Sequence, residues 1–225
     1  MRASRKWIGR ERRHVKHGIR KLTVGAFLAL TLIHAPGRAE PAVAEPKIIP
    51  RPAVLVPAEG TFALDASTPV KMTIPDETDV ANVKSCAIHL QKQLTGRMHW
   101  AYGLRGPSDA PAVTLELAKG GATDPESYRL DIAPKAVCIK ASAPVGLFHG
   151  IQSLLQIVDS ATLSENTALK AVGLPCLHIE DSPRYAWRGF MLDEARHFFG
   201  KATVLKLLDT MAYLKMNRFH WHLTD

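Results

Sequence analysis

Arg188-Gly-Phe-Met-Leu-Asp193, Lys201-Ala-Thr-Val-Leu-Lys-Leu-Leu-Asp-Thr-Met-Ala-Tyr-Leu-Lys215 and Arg218-Phe-His-Trp-His-Leu223 follow one another along the chain, and their patterns decide the fold. The first is a short apolar strand candidate. The second places Val204, Leu207, Leu208, Met211 and Leu214 at steps of three and four, one stripe of a helix. Asn217 is placed to stop that helix in a left-handed turn. The third alternates as a strand. A strand, a helix and a strand in this order make a βαβ unit, whose parallel strands bury both faces only when more strands and helices surround them. Nothing follows Asp225, and one unit cannot close a barrel, so the unit is expected to be incomplete.

Upstream, the pattern is mixed. Val54–Val56, Thr61–Leu64 and Val70–Ile74 are short strand candidates separated by Pro, Gly and Ser. Asp79 is placed to cap a helix carrying Val80, Val83, Ala87, Leu90 and Leu94, with Gly96 at its expected end. Val113–Leu117, Tyr128–Ile132 and Ala136–Ala141 read as adjacent strands. A second helix is predicted from about Val145 to Val158, burying Leu147, Ile151, Leu154, Leu155 and Val158. Strands with helices on one side predict an α+β layer domain over 53–180. The terminal βαβ unit takes 181–225.

The net charge of +8 invites a nucleic-acid reading, but its location excludes one. Residues 1–39 hold ten Lys/Arg against Glu11 alone, and the rest of the chain carries 19 basic and 20 acidic residues. A phosphate-binding face needs clustered charge on the folded part. The basic start, the apolar stretch Leu22–Ile33 and the small residues Gly37-Arg38-Ala39 and Ala42-Val43-Ala44 have the order of a secretory signal over 1–39. A stretch of twelve residues is short of the roughly 20 a membrane-spanning helix needs, so no stable span is expected. Residues 40–52, rich in Pro and Ala, read as a linker. Export to the periplasm or the outside follows, with membrane anchoring through an uncleaved leader as the rival reading. Cys86, Cys138 and Cys176 form no CxxC pair, which excludes a zinc ribbon or a redox motif; buried, inert thiols are expected.

Polar residues gather after each strand of the terminal unit: Asp193, Glu194, Arg196 and His197 after the first, His220, His222 and Asp225 within and after the second. In a parallel α/β barrel, the C-terminal strand ends form the active-site face. Arginine there forks hydrogen bonds to two neighbouring hydroxyls, and a carboxylate holds a neighbouring acid or histidine. His220 and His222 share a strand face and suit a metal as an HxH pair, but in barrel metallohydrolases that pair lies on the first strand, so no metal and no cofactor are expected. Trp187, His197 and Trp221 read as packing residues; Trp221 points away from the histidines.

Asp181-Ser-Pro-Arg-Tyr-Ala-Trp-Arg-Gly-Phe-Met-Leu-Asp-Glu-Ala-Arg-His-Phe-Phe199 and Leu208-Asp-Thr-Met-Ala-Tyr-Leu-Lys-Met-Asn-Arg-Phe-His-Trp-His-Leu-Thr-Asp225 resemble the start of the catalytic domain of glycoside hydrolase family 20. Glu126-Ser-Tyr-Arg-Leu130 and Gly146-Leu-Phe-His-Gly-Ile-Gln-Ser-Leu-Leu-Gln156 resemble pieces of that family's small α+β domain. The resemblance implies a small α+β domain followed by the first βαβ unit of an incomplete (β/α)8 TIM barrel.

It also implies a β-N-acetylhexosaminidase, which removes terminal N-acetylglucosamine or N-acetylgalactosamine from glycans and chitin oligosaccharides. The substrate's own 2-acetamido group is the nucleophile, an adjacent Asp orients it and a Glu protonates the leaving oxygen, outside the usual two-carboxylate scheme. By motif position Arg196 binds hydroxyls of the terminal sugar, and Asp225 is the strand-end carboxylate that sets the acid's protonation. Asp193 is structural. The family's Asp-Glu pair lies downstream of the Leu-Thr-Asp segment, so the chain alone is expected to be inactive; Asp193-Glu194 sits in the wrong motif to replace it. The alternatives are a non-catalytic exported carbohydrate-binding or scaffolding module and, further off, the HxH metallohydrolase.

Overall fold

The structure, a computed structural model, describes residues 45–75, 77–100, 110–118, 124–163 and 169–225; the signal expected over 1–39 lies outside them. Strands β1 (Val54–Asp65) and β2 (Val70–Thr73) lead into helix α1 (Val80–Met98). Then come β3 (Ala112–Leu117), β4 (Tyr128–Ala133), β5 (Ala136–Ala141), helix α2 (Pro144–Thr162) and β6 (Ala171–Asp181). The strands form one six-stranded sheet in the order β1-β6-β4-β5-β3-β2. β2, β3 and β5 run parallel, whereas β4 and β6 pair antiparallel with each other and β6 with β1.

Alternation along each strand explains why the helices cover one face. Leu130, Ile132, Val137, Ile139, Leu115, Leu174 and Ile179 point into the core with Leu90 and Leu94 of α1. Arg129, Glu180, Lys140 and Glu116 line the other face as ion pairs, Lys140 Nζ lying 2.6 Å from Glu116 Oε1. Leu147, Ile151, Leu154, Leu155, Ile157 and Val158 of α2 are 1% exposed or less, each gaining roughly 1.5–3 kcal/mol from burial. α2 lies so close to the sheet that a Cβ at Gly146 would overlap the Ser127 carbonyl oxygen, and one at Gly150 the Ile139 side chain. Pro144 at its first turn supplies a preset φ where no backbone donor is needed.

Several expectations are corrected in detail. Val54–Val56 and Thr61–Leu64 are one strand, irregular between Pro57 and Thr61, where Gly60 takes φ 101°. Gly96 does not end α1; the helix runs on to bury Met98 and stops at His99, φ 55°. Asp79 precedes the helix but makes no side-chain cap bond. β6 stands beside β4 in the sheet, although Gly173 and Pro175 hide it in the sequence. Part of the expected linker is docked: Ile48 is buried in the core, and Gln156 of α2 accepts the Ile49 N–H at 2.7 Å and donates to its carbonyl at 2.8 Å. All three cysteines are free; Cys86 and Cys176 are buried and Cys138 is half-buried, with burial pushing each thiol up. Among the described residues no helix is long and apolar enough to cross a membrane.

Residues 189–222 form the second sheet: β7 (Gly189–Asp193) and β8 (Arg218–His222), parallel, joined through α3 (Lys201–Tyr213). The left-handed residue after α3 is Lys215, φ 59°, not Asn217. Asn217 instead ties both strand starts together. Its Oδ1 accepts the Arg188 N–H at 3.1 Å, its own N–H reaches the Arg188 carbonyl at 2.9 Å, and its Nδ2 donates to the Ala186 carbonyl at 3.0 Å and to Glu126 Oε1 at 3.3 Å.

Glu126 belongs to the turn before β4 and also pairs with Arg188 Nη2 at 2.8 Å. Beside it Lys215 Nζ, its side chain 7% exposed, reaches Asp181 Oδ2 at 3.0 Å and the Tyr128 hydroxyl at 2.8 Å; that hydroxyl lies 2.6 Å from Ser153 Oγ. Burial pushes the Lys215 ammonium down and the Asp181 charge pulls it back up. Gln156 also donates to the Tyr213 carbonyl at 2.9 Å, and the Tyr213 hydroxyl donates to Asp159 at 2.8 Å. The α+β layer therefore holds the β7–α3–β8 unit by the N-terminal ends of its strands.

Two predictions follow from this packing. Gly146→Ala should force α2 off the Ser127 carbonyl and cost about 1–3 kcal/mol, read as a lowered urea midpoint, whereas Gly96→Ala, with open space around it, should not destabilise. His149, 4% exposed on α2, is held to the Glu126 carbonyl, and burial pushes its pKa down. The folded chain then binds fewer protons there than the unfolded chain, so stability falls as pH drops below about 6.5. Half-buried His89 adds the same sign. Tm should fall between about pH 7.5 and about pH 5.5, and His149→Gln should flatten that slope.

Candidate functional site at the C-terminal strand ends

The polar residues singled out after β7 and β8 come together because the two strands are in register, with Asp193 beside His222 and Met191 beside His220. The Glu194 and Ala195 N–H groups continue past the strand by donating to the His222 carbonyl at 2.8 and 3.2 Å. Asp193 organises the turn that follows. Its Oδ1 accepts the Ala195 N–H at 3.1 Å, the Arg196 N–H at 3.3 Å and His222 Nδ1 at 3.1 Å. The hydrogen bond from His222, with help from the Arg196 backbone and side chain, holds this carboxyl below the usual carboxylate range against a smaller opposing effect of desolvation.

Arg196 stands with its Nε 3.5 Å from Asp193 Oδ2 and a side chain 78% exposed. A long exposed pair of this kind leaves the outer nitrogens of the guanidinium facing solvent and adds little to stability. Asp225 Oδ1 lies 3.4 Å from His222 Nε2, and its side chain is also largely exposed. The sequence marks Arg196 and Asp225 and presents His222 as half of an HxH pair; it does not show that this imidazole stands between Asp193 and Asp225. The signal for it is the register, since Asp193 and His222 are opposite one another only when β7 and β8 pair in parallel.

Glu194 turns the other way and is 5% exposed. Its Oε1 accepts the N–H groups of Phe199 and Gly200, each at 3.0 Å, and its Oε2 accepts the Trp221 indole N–H. The carboxylate thus sits at the start of α3, where the helix dipole favours a negative charge, and both its oxygens accept hydrogen bonds. Its contacts are structural ones, to the start of α3 and to Trp221.

Trp221, expected in the core, is 44% exposed and held at its indole N–H. Trp187 is exposed too and lies under Arg218, whose guanidinium carbon is 5.6 Å from the ring centre. His197 meets Phe199 edge-on at 4.8 Å. The His220 and His222 rings are 6.3 Å apart, and among the described residues no three His, Cys, Asp or Glu side chains are grouped to hold a metal ion.

A cleft of about 820 Å³ lies elsewhere, at the N-terminal ends of β7 and β8, lined by Arg51, Glu126, Tyr128, His149, Arg188 and Lys215 among others. Its charged residues Glu126, Arg188 and Lys215 are those that join the two sheets, so the cleft marks the joint and not the strand-end chemistry.

Comparison with known proteins bears on the same two regions. Residues 45–182 match the domain described as "Glycosyl hydrolase family 20, domain 2", and residues 185–225 match "Glycosyl hydrolase family 20, catalytic domain". A beta-N-acetylhexosaminidase of Cellulomonas fimi is 34% identical over 180 residues, covering 79% of this chain and 34% of that protein. A beta-hexosaminidase of Porphyromonas gingivalis is 30% identical over 178 residues, 79% of this chain and 22% of that protein.

Among solved structures, the Streptomyces plicatus N-acetyl-beta-hexosaminidase in complex with Thio-NAglucal superimposes with a TM-score of 0.66 at 32% identity, over 82% of this chain and 36% of that one. The Vibrio harveyi exo beta-N-acetylglucosaminidase in complex with N-acetylglucosamine gives 0.63 at 26% identity, over 85% and 28%. The chain thus spans between a fifth and about a third of the length of these relatives.

Proposed function

The chain belongs to glycosyl hydrolase family 20, and on that premise we propose that the protein removes terminal N-acetylhexosamine residues from glycans or chitin oligosaccharides. β7, α3 and β8 are then the opening strands and helix of a (β/α)8 barrel. Support comes from their parallel pairing and from Phe190, Met191, Leu205, Leu208, Trp221 and Leu223, all exposed as apolar side chains that further barrel strands and helices would cover. The leader at residues 1–39 supports export to the periplasm or beyond.

The observation that carries the reading is the guanidinium of Arg196, presented to solvent at the C-terminal strand end on a turn braced by Asp193. Arg196 forks hydrogen bonds to neighbouring hydroxyls of the terminal sugar and so fixes the ring. Asp225 is the carboxylate that sets the protonation of the acid. The bond is broken with the substrate's acetamido group as nucleophile, an Asp orienting it and a Glu protonating the leaving oxygen. Glu194 is not that acid, because its oxygens are committed to α3 and Trp221. These 225 residues on their own are expected to turn over no 4-nitrophenyl N-acetyl-β-glucosaminide.

The test is a hybrid in which residues 185–225 replace the matching segment of the Streptomyces plicatus enzyme. The hybrid should hydrolyse that glucosaminide, and Arg196→Ala in it should lower kcat/KM by about 10²-fold, the loss of two hydrogen bonds to a charged group. A hybrid that melts cooperatively but is inactive, or one indifferent to Arg196→Ala, overturns the proposal.

A further inference from the structure

The imidazole of His222 stands between two carboxylates that belong to different parts of the site. Its Nδ1 is 3.1 Å from Asp193 Oδ1, at the end of β7, and its Nε2 is 3.4 Å from Asp225 Oδ1, beyond the end of β8. Asp193 in turn holds the backbone N–H and the Nε of Arg196. We propose that His222 is a positioning residue: it ties Asp193 to Asp225 and thereby sets the distance between the sugar-holding arginine and the carboxylate that serves the acid. This deepens the family 20 reading and rests on it for its catalytic meaning, but the tie itself is a property of these residues alone.

The chemistry gives the ring a direction. A carboxylate is an acceptor only, so the bond to Asp193 requires the proton on Nδ1. Two backbone N–H groups and the Arg196 side chain keep Asp193 an anion, so toward the ring it acts as an acceptor. Nε2 is left toward Asp225. With the Nδ1–H given to Asp193, a hydrogen bond across the 3.4 Å to Asp225 uses a second proton, carried on Nε2 or on the carboxyl. The ring is fixed from behind by the strand register and by the Glu194 and Ala195 N–H groups on its own carbonyl. His220, on the same face, is 6.3 Å away, ring to ring. Metal ligation commonly uses the same arrangement, an imidazole whose second nitrogen is tied to a carboxylate to set tautomer and orientation.

The experiment uses the 225-residue chain with 15N-labelled histidine and long-range 1H–15N correlation of the imidazole nitrogens. His222 should show a protonated Nδ1. Asp193→Asn should move the Nδ1 resonance and Asp225→Asn the Nε2 resonance, each leaving the backbone spectrum of the α+β layer in place. Asp225 is largely exposed, so if Asp193→Asn disorders the turn, Asp225→Asn alone decides. A deprotonated Nδ1, or an Nε2 resonance unmoved by Asp225→Asn, overturns the proposal.

In the hybrid enzyme, His222→Asn keeps a donor in reach of Asp193 and His222→Gln keeps one in reach of Asp225. Each should lower kcat/KM by about tenfold, and the two pH profiles should differ. Identical profiles at parental kcat/KM overturn the positioning role. An inactive parent hybrid with the predicted imidazole spectrum counts against the family reading and leaves the His222 tie standing.

Discussion

A buried polar joint between the two sheets sets the position of everything at the strand ends. Glu126, from the turn before β4, grips Arg188 and Asn217, which open β7 and β8. Lys215 reaches back to Asp181 and Tyr128. Buried ion pairs of this kind add little net stability over an apolar contact, because desolvation offsets much of the attraction. Breaking one partner is another matter and costs roughly 3–5 kcal/mol. Such a joint therefore specifies geometry. In the observed arrangement Glu126 pairs with Arg188 and Asp181 with Lys215, and β7 and β8 lie side by side and in parallel.

From that register the site follows by short steps. Parallel pairing sets Asp193 against His222, and Asp193 then gathers the turn that carries Arg196. Glu194, next in sequence, points to the other side and anchors the start of α3. Two adjacent acids are thus separated into two duties by the alternation of a strand end. The chain's structural relatives include enzymes solved with N-acetylglucosamine and with Thio-NAglucal bound.

How much of this was legible depended on whether a residue's signal was local. The stripes of α1 and α2 were readable, since Leu90, Leu94, Leu147, Ile151 and Leu154 recur at helical spacing and are all buried. β6 was not, because Gly173 and Pro175 are strand breakers; Pro175 is accepted opposite Thr61, next to the irregular stretch of β1. Gly96 looked like a helix end, but an exposed glycine costs a helix only about 1 kcal/mol, which burying Met98 offsets.

The joint was the least legible part. Glu126, Arg188 and Lys215 have the composition of ordinary surface charges, and Glu126 lies some sixty residues before Arg188, so only the fold makes them partners. At the site, Arg196 and Asp225 were marked by long motifs. The link between Asp193 and His222 appeared only with the pairing of the strands.

Hydrogen exchange on Glu126→Ala tests the dependence of the strand ends on the joint most directly. Amides of β7 and β8, including the Glu194 and Ala195 N–H groups on the His222 carbonyl, should lose protection together, while β4 and β5 in the other sheet keep theirs. Unchanged protection across β7 and β8 in a folded Glu126→Ala chain would show that the terminal unit holds its own register, and the account of the site built on the joint would be wrong.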